Sequence, residues 1–139
     1  MDPIEVAARS LRHHDRSRAE IDERLAKAGV GELERPEALD RLERLGYVDD
    51  ARFAATRAAA LADRGQGDAA IRFDLRGRGI ADEAIEIALA GLASEVERAV
   101  QLAEQLGRTP KAAARLRRKG FGADALEAAF GAGIAEDGA

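Results

Sequence analysis

Apolar residues along this chain recur at helical spacing: Ile21/Leu25 and Ile71/Leu75 stand four apart, as does a weaker pair, Ala112/Leu116. Each pair runs into the same string. Leu25-Ala-Lys-Ala-Gly29-Val30, Leu75-Arg-Gly-Arg-Gly79-Ile80 and Leu116-Arg-Arg-Lys-Gly120-Phe121 all read Leu, three residues, Gly, large apolar residue, with starts 50 and 41 residues apart. A helix commonly ends on a glycine in the left-handed conformation, and the apolar residue just beyond it packs back on the helical residue four before the glycine. Counted back from Gly29, Gly79 and Gly120, that residue is Leu25, Leu75 and Leu116. The pattern predicts three short helices closed by the same Schellman stop, with contacts Leu25 to Val30, Leu75 to Ile80 and Leu116 to Phe121.

Helix starts complete the pattern. Ser17 with Glu20 three later reads as a capping box, Ser94 with Glu97 as a second, and Thr109-Pro110 as an N-cap followed by proline at the first helical position. A longer helix precedes each short one: Ile4 to about His13, Asp50 to about Arg64, and Glu95 to Leu106. A third helix follows each stop, carried by Ala84, Ile85, Ile87, Ala88 and Leu89 in the second group and by Leu126, Ala129 and Phe130 in the third. In the first group it enters late, at Pro36, and carries Leu39, Leu42 and Leu45. Arg35-Pro36 stands where the other groups have Ala84-Ile85 and Ala125-Leu126, which predicts a shortened helix there. The expected fold class is all-α: three tandem three-helix repeats, residues 3–46, 49–91 and 94–131, in an elongated, curved side-by-side array. These form one domain over residues 1–139, with 132–139 a disordered tail. Short linkers favour stacked repeats over independent beads. Tetratricopeptide and ankyrin units fit badly, having two helices and periods near 33 or 34 residues.

Composition agrees with helices. The 139 residues are rich in Ala, Leu, Arg and Glu, only 4% are aromatic, and three are proline. A chain of this length buries roughly two-thirds of its unfolded surface without metal or disulfide. With no cysteine, thiolate chemistry and disulfides are excluded, which fits a reducing compartment. Met1-Asp2-Pro3-Ile4-Glu5-Val6 lacks the basic and apolar regions of a signal peptide, and charges interrupt every would-be membrane span. A cytoplasmic protein that does not enter membranes, a monomer, is expected.

Charge changes the picture more. The net charge of −4 argues against coating nucleic acid by charge alone. Yet residues 108–120 hold six bases (Arg108, Lys111, Arg115, Arg117, Arg118, Lys119) and no acid, leaving about −10 on the rest. Bases in a last helical turn complement the helix dipole, but six unbalanced charges exceed that need. The segment reads either as a surface for an acidic protein face or DNA phosphate, or as a solvated face.

Candidate catalytic chemistry is thin. Asp49 and Asp50 precede a helix, where an N-cap and a first-turn acid are favoured, so capping is preferred to a paired-carboxylate or Mg²⁺ site. Arg52 is placed to pair with a nearby acid, and Phe53 to enter the core. His13 and His14 are neighbours on a helix, point apart and make a poor chelate. Gly65-Gln66-Gly67 resembles part of a dinucleotide loop but follows a helix, and reads as a flexible turn. Phe73 lies about 200° around its helix from Ile71, facing outward; it either fills a gap between repeats, the preferred reading, or anchors a partner. No Walker sequence, nucleophile elbow or metalloprotease motif occurs, so a non-enzyme without cofactor or metal is expected.

Gly46-Tyr47-Val48-Asp49-Asp50-Ala51-Arg52-Phe53-Ala54 resembles the RecX family. The likeness continues through Arg64-Gly65-Gln66-Gly67, Ile71-Arg72 and Leu75-Arg76-Gly77-Arg78-Gly79-Ile80, and more weakly at Lys119-Gly120-Phe121, covering about residues 4 to 131. The resemblance implies a regulatory repeat protein lying in the groove of a RecA-type recombinase filament. There it contacts recombinase subunits, with single-stranded DNA in the filament as a further contact, and lowers recombinase ATPase, strand exchange and coprotease activity in DNA repair and the SOS response. Arg72, Arg76, Arg78, Arg115, Arg117, Arg118 and Lys119 are the candidate partner-binding or DNA-binding residues. Asp49, Asp50, Arg52, Phe53, Gly67, Gly79 and Gly120 are the signature, mainly structural. The competing reading is a helical module that binds single-stranded DNA directly.

Overall fold

A computed structural model describes residues 2–12 and 14–132; Met1, His13 and nearly all of the expected tail, residues 133–139, lie outside the described residues. The described residues form nine α-helices and no strand: α1 Pro3–Leu11, α2 Arg18–Lys27, α3 Glu34–Arg44, α4 Asp50–Asp63, α5 Asp68–Gly77, α6 Asp82–Ala90, α7 Glu95–Leu106, α8 Pro110–Arg118 and α9 Ala123–Phe130. Each successive triplet packs on itself and has its own core. Ile21, Leu25, Leu39 and Leu42 centre the first, Phe53, Leu61, Ile71, Leu75 and Ile85 the second, and Leu116, Phe121, Leu126 and Phe130 the third. Ile21, Leu25, Ile71 and Leu75 are fully buried, because four-residue spacing keeps each pair on one helix face.

Caps set the starts. Ser17 and Glu20 form the reciprocal box, Ser94 Oγ accepts from Glu97 N at 3.1 Å, and Thr109 Oγ1 accepts from Ala112 N at 3.1 Å. Asp49 caps α4 by accepting from Arg52 N at 3.0 Å. The α3 expectation needs correction. That helix starts at Glu34 and runs 11 residues, longer than α6 with 9 or α9 with 8. Pro36 falls within its first turn, where a backbone N–H has no intrahelical acceptor to lose, so proline does not delay the helix.

All three stops share one geometry. Val30 N donates to Leu25 O at 3.0 Å, Ile80 N to Leu75 O at 3.1 Å and Phe121 N to Leu116 O at 3.1 Å. Gly29, Gly79 and Gly120 have φ of 89°, 79° and 97°. Their surroundings differ in one decisive way. A Cβ on Gly79 would lie 2.4 Å from Ala19 Cβ, and one on Gly120 would lie 2.6 Å from Ala70 N; one on Gly29 would meet nothing within 4 Å. Gly79 and Gly120 therefore form joints between repeats as well as helix ends, whereas Gly29 lies at the free end of the row.

The joints bring the middle helices end to end. Ser17 Oγ, at the start of α2, donates to Arg78 O at the end of α5 at 2.7 Å. Gly67 N, at the start of α5, donates to Lys119 O at the end of α8 at 2.8 Å, and Ala69 N donates to Gly120 O at 3.2 Å. Donors left over at one helix start meet acceptors left over at another's end, with opposite dipole ends in contact. Gly65-Gln66-Gly67 is accordingly a close-packed joint rather than a loose turn: a Cβ on Gly67 would lie 2.4 Å from the Gly120 carbonyl carbon. Carboxylates lock the same joints. Asp50 Oδ1 accepts from Arg18 N at 2.8 Å, and Glu95 Oε2 accepts from Asp68 N at 2.7 Å; each acid opens the first helix of one repeat and caps the middle helix of the repeat before it.

Alanine at these stops separates the two demands. Gly29→Ala should cost about 1 kcal/mol, the left-handed penalty alone. Gly79→Ala and Gly120→Ala, which add a steric clash, should cost roughly 3 kcal/mol. Urea denaturation of the three variants measures this, and equal losses would show that the joints are not close-packed.

Candidate functional site

Among the described residues eight arginines, three of them candidate partner-binding residues, pair with the chain's own acids. Arg72 pairs with Glu86 through two bonds of 3.0 and 2.9 Å, and this contact holds the Glu86 carboxyl below the usual carboxylate range. Arg76 meets Asp82 at 2.9 Å. Arg78 bonds Asp74 at 3.0 Å and Glu20 at 3.1 Å, tying α5 to α2 across the first joint. Arg57 grips Asp74 from the other side at 3.0 and 2.9 Å; its hydrogen bond, then that of Arg78, lowers the Asp74 pKa against the opposing effect of burial. Arg52 reaches Asp15 at 3.4 Å and the Gly46 carbonyl at 3.1 Å, while Phe53 is buried in the second core. At the second joint Arg98 pairs with Asp68 at 3.0 Å.

α8 is different. Its N-cap is Thr109, its first turn holds no acid, and Ala112, Ala113 and Leu116 turn into the third core. Lys111, Arg115 and Arg118, at i, i+4 and i+7, are exposed and line one open groove of about 470 Å³ with Leu106 and Thr109. Among the described residues none of these three cations makes an ion pair. Like charges one turn apart destabilise a helix by a few tenths of a kcal/mol, and here no acid relieves them. Arg117 is half-buried, and Lys119 donates to the Arg64 carbonyl at 2.8 Å across the second joint.

Of the candidate partner-binding residues, the structure therefore brings Arg115 and Arg118 together on an open cationic face. It commits Arg72, Arg76 and Arg78 to internal acids and Lys119 to a joint. Lys111 belongs to the face although only its charge, not its helical register with Arg115, stood out in the sequence. The cross-repeat roles of Asp50 and Glu95 also escaped sequence reading; the signal available was an acid at the first position of both α4 and α7. Among the described residues no three His, Asp or Glu side chains converge on a metal position, and no helix is long and apolar enough to cross a membrane.

Residues 49–89 match the family described as RecX, second three-helix domain. A regulatory protein RecX of Xanthomonas oryzae pv. oryzae is 33% identical over 137 residues, covering 91% of this chain and 86% of its own length. This chain belongs to the RecX family. The RecX of Mycobacterium marinum is 40% identical over 105 residues, 75% of this chain, and the chain spans 60% of that relative's length. The crystal structure of RecX from Lactobacillus salivarius superposes with a TM-score of 0.81 at 25% identity, covering 90% of both chains. The three-helix array is thus the RecX fold, and the joints described above are how this RecX chain assembles it.

The Asp74 cluster has a pH signature. A carboxyl whose folded pKa is depressed stabilises the fold above its unfolded pKa, and that contribution disappears as pH falls through the folded pKa. Asp74→Asn should cost about 2 kcal/mol at neutral pH. The gap from wild type should close as pH drops below the ordinary aspartate range, as read by urea melts across a pH series; a gap that persists in acid would mean that the carboxylate charge is not what holds Arg57 and Arg78.

Proposed function

We propose that this chain is a non-catalytic, cytoplasmic regulator of a RecA-type recombinase that binds along the recombinase filament. Bound, it lowers ATPase, strand-exchange and coprotease activity. The observation that carries the reading is the Lys111, Arg115 and Arg118 face, where three exposed cations at helical spacing line one open groove with no acid in the helix's first turn and, among the described residues, no ion pair. Membership of the RecX family, whose curated relatives bear the name regulatory protein, supports it. A row of joined repeats can touch several protomers of a filament at once, so modest contacts add through effective concentration.

Direct competition for single-stranded DNA is the second reading, favoured by the same cations. Phosphate binding would fall steeply with salt, and the remaining charge of about −10 opposes a long track on bare DNA.

Co-sedimentation with recombinase filaments on single-stranded DNA, with a parallel ATPase time course, tests the proposal. Arg115→Glu with Arg118→Glu should weaken filament binding by about tenfold or more and relieve ATPase inhibition while leaving helicity intact. Inhibition that persists unchanged would remove this face from the interface. Inhibition that tracks affinity for bare strand would favour direct competition.

A further inference from the structure

Phe73 stands in the middle of α5 with 82% of its surface open, contributing to none of the three cores. Packing between repeats, the preferred sequence expectation for this ring, is not what the structure shows. Its surroundings are unusual for a solvated helix face. Ala69 and Ala70 lie one turn before it and Gly77 one turn after, where charged residues would ordinarily stand. Ala70 is small because Gly120 abuts it; Gly77 has no such reason, since a Cβ there would meet nothing within 4 Å.

These missing side chains leave a groove of about 750 Å³ crossing the second joint from Phe73 to Arg118. Arg118 also lines the groove of Lys111 and Arg115, so ring and cations belong to one continuous surface. The acids on its far rim are already answered: Glu20 is bonded by Arg78, and Asp74 by Arg57 and Arg78. The open charge of the surface is therefore positive and lies on one side of the ring.

We propose that this surface docks a protein segment bearing carboxylates beside an apolar pocket, with Phe73 filling the pocket and Lys111, Arg115 and Arg118 pairing with the acids. The inference rests on the filament-binding reading and adds where, and by what chemistry, the partner is held. Charge complementarity calls for an acidic occupant. Alanine and glycine around the ring let a partner backbone come close and exclude water, as at the centre of a protein interface. A nucleic acid stacked on the ring would set its phosphates on the same cations, and binding of the bare strand distinguishes it from an acidic protein segment.

Fluorescence anisotropy on the full chain tests this, with two probes: recombinase filaments assembled on a single-stranded oligonucleotide, and the bare oligonucleotide. Phe73→Ala, at an exposed site, should keep the wild-type melting temperature, weaken filament binding about tenfold and leave bare-strand binding as it was; Phe73→Leu should restore most of the affinity. Wild-type filament affinity in Phe73→Ala would overturn the docking site and leave the filament reading standing. An equal loss on the bare oligonucleotide would overturn it in favour of base stacking. Failure of the unmutated chain to bind filaments would remove both readings.

Discussion

The architecture depends on a glycine that meets two demands at once. Gly79 and Gly120 each end a middle helix in the left-handed conformation, and each lies against the first turn of the middle helix of the preceding repeat. Only a residue without Cβ satisfies both, because the backbone angle strains any L side chain and the approach leaves no room for one. From that contact the rest follows. Helix ends that would otherwise need water supply each other's hydrogen bonds, Asp50 and Glu95 complete the set, and three small cores become one row.

Such a row has a consequence for charge. Joints and helix pairs consume cations: Arg78 and Arg57 are held by Asp74, Arg98 by Asp68, and Lys119 by a carbonyl. α8, which lacks acids in its first turn, keeps Lys111, Arg115 and Arg118 without an ion pair among the described residues, and the row presents that cationic face beside the exposed ring of α5.

Local physics made much of this legible beforehand. Four-residue apolar spacing, the Ser17–Glu20 box, the Thr109-Pro110 start and the three Leu-x-x-x-Gly-apolar stops are each completed within about six residues, so sequence by itself determined nine helices, their grouping and the basic character of α8. The same local logic misjudged Pro36, whose place within the first turn matters more than its presence. Tertiary structure alone decided what lies opposite each helix end. Whether Gly67 is a loose turn or a packed joint, whether Arg78 is free or held, and whether Phe73 is covered or bare all depend on residues 30 to 60 positions away. Charges and rings can be counted along a chain, but whether they are satisfied depends on neighbours that folding brings from other repeats.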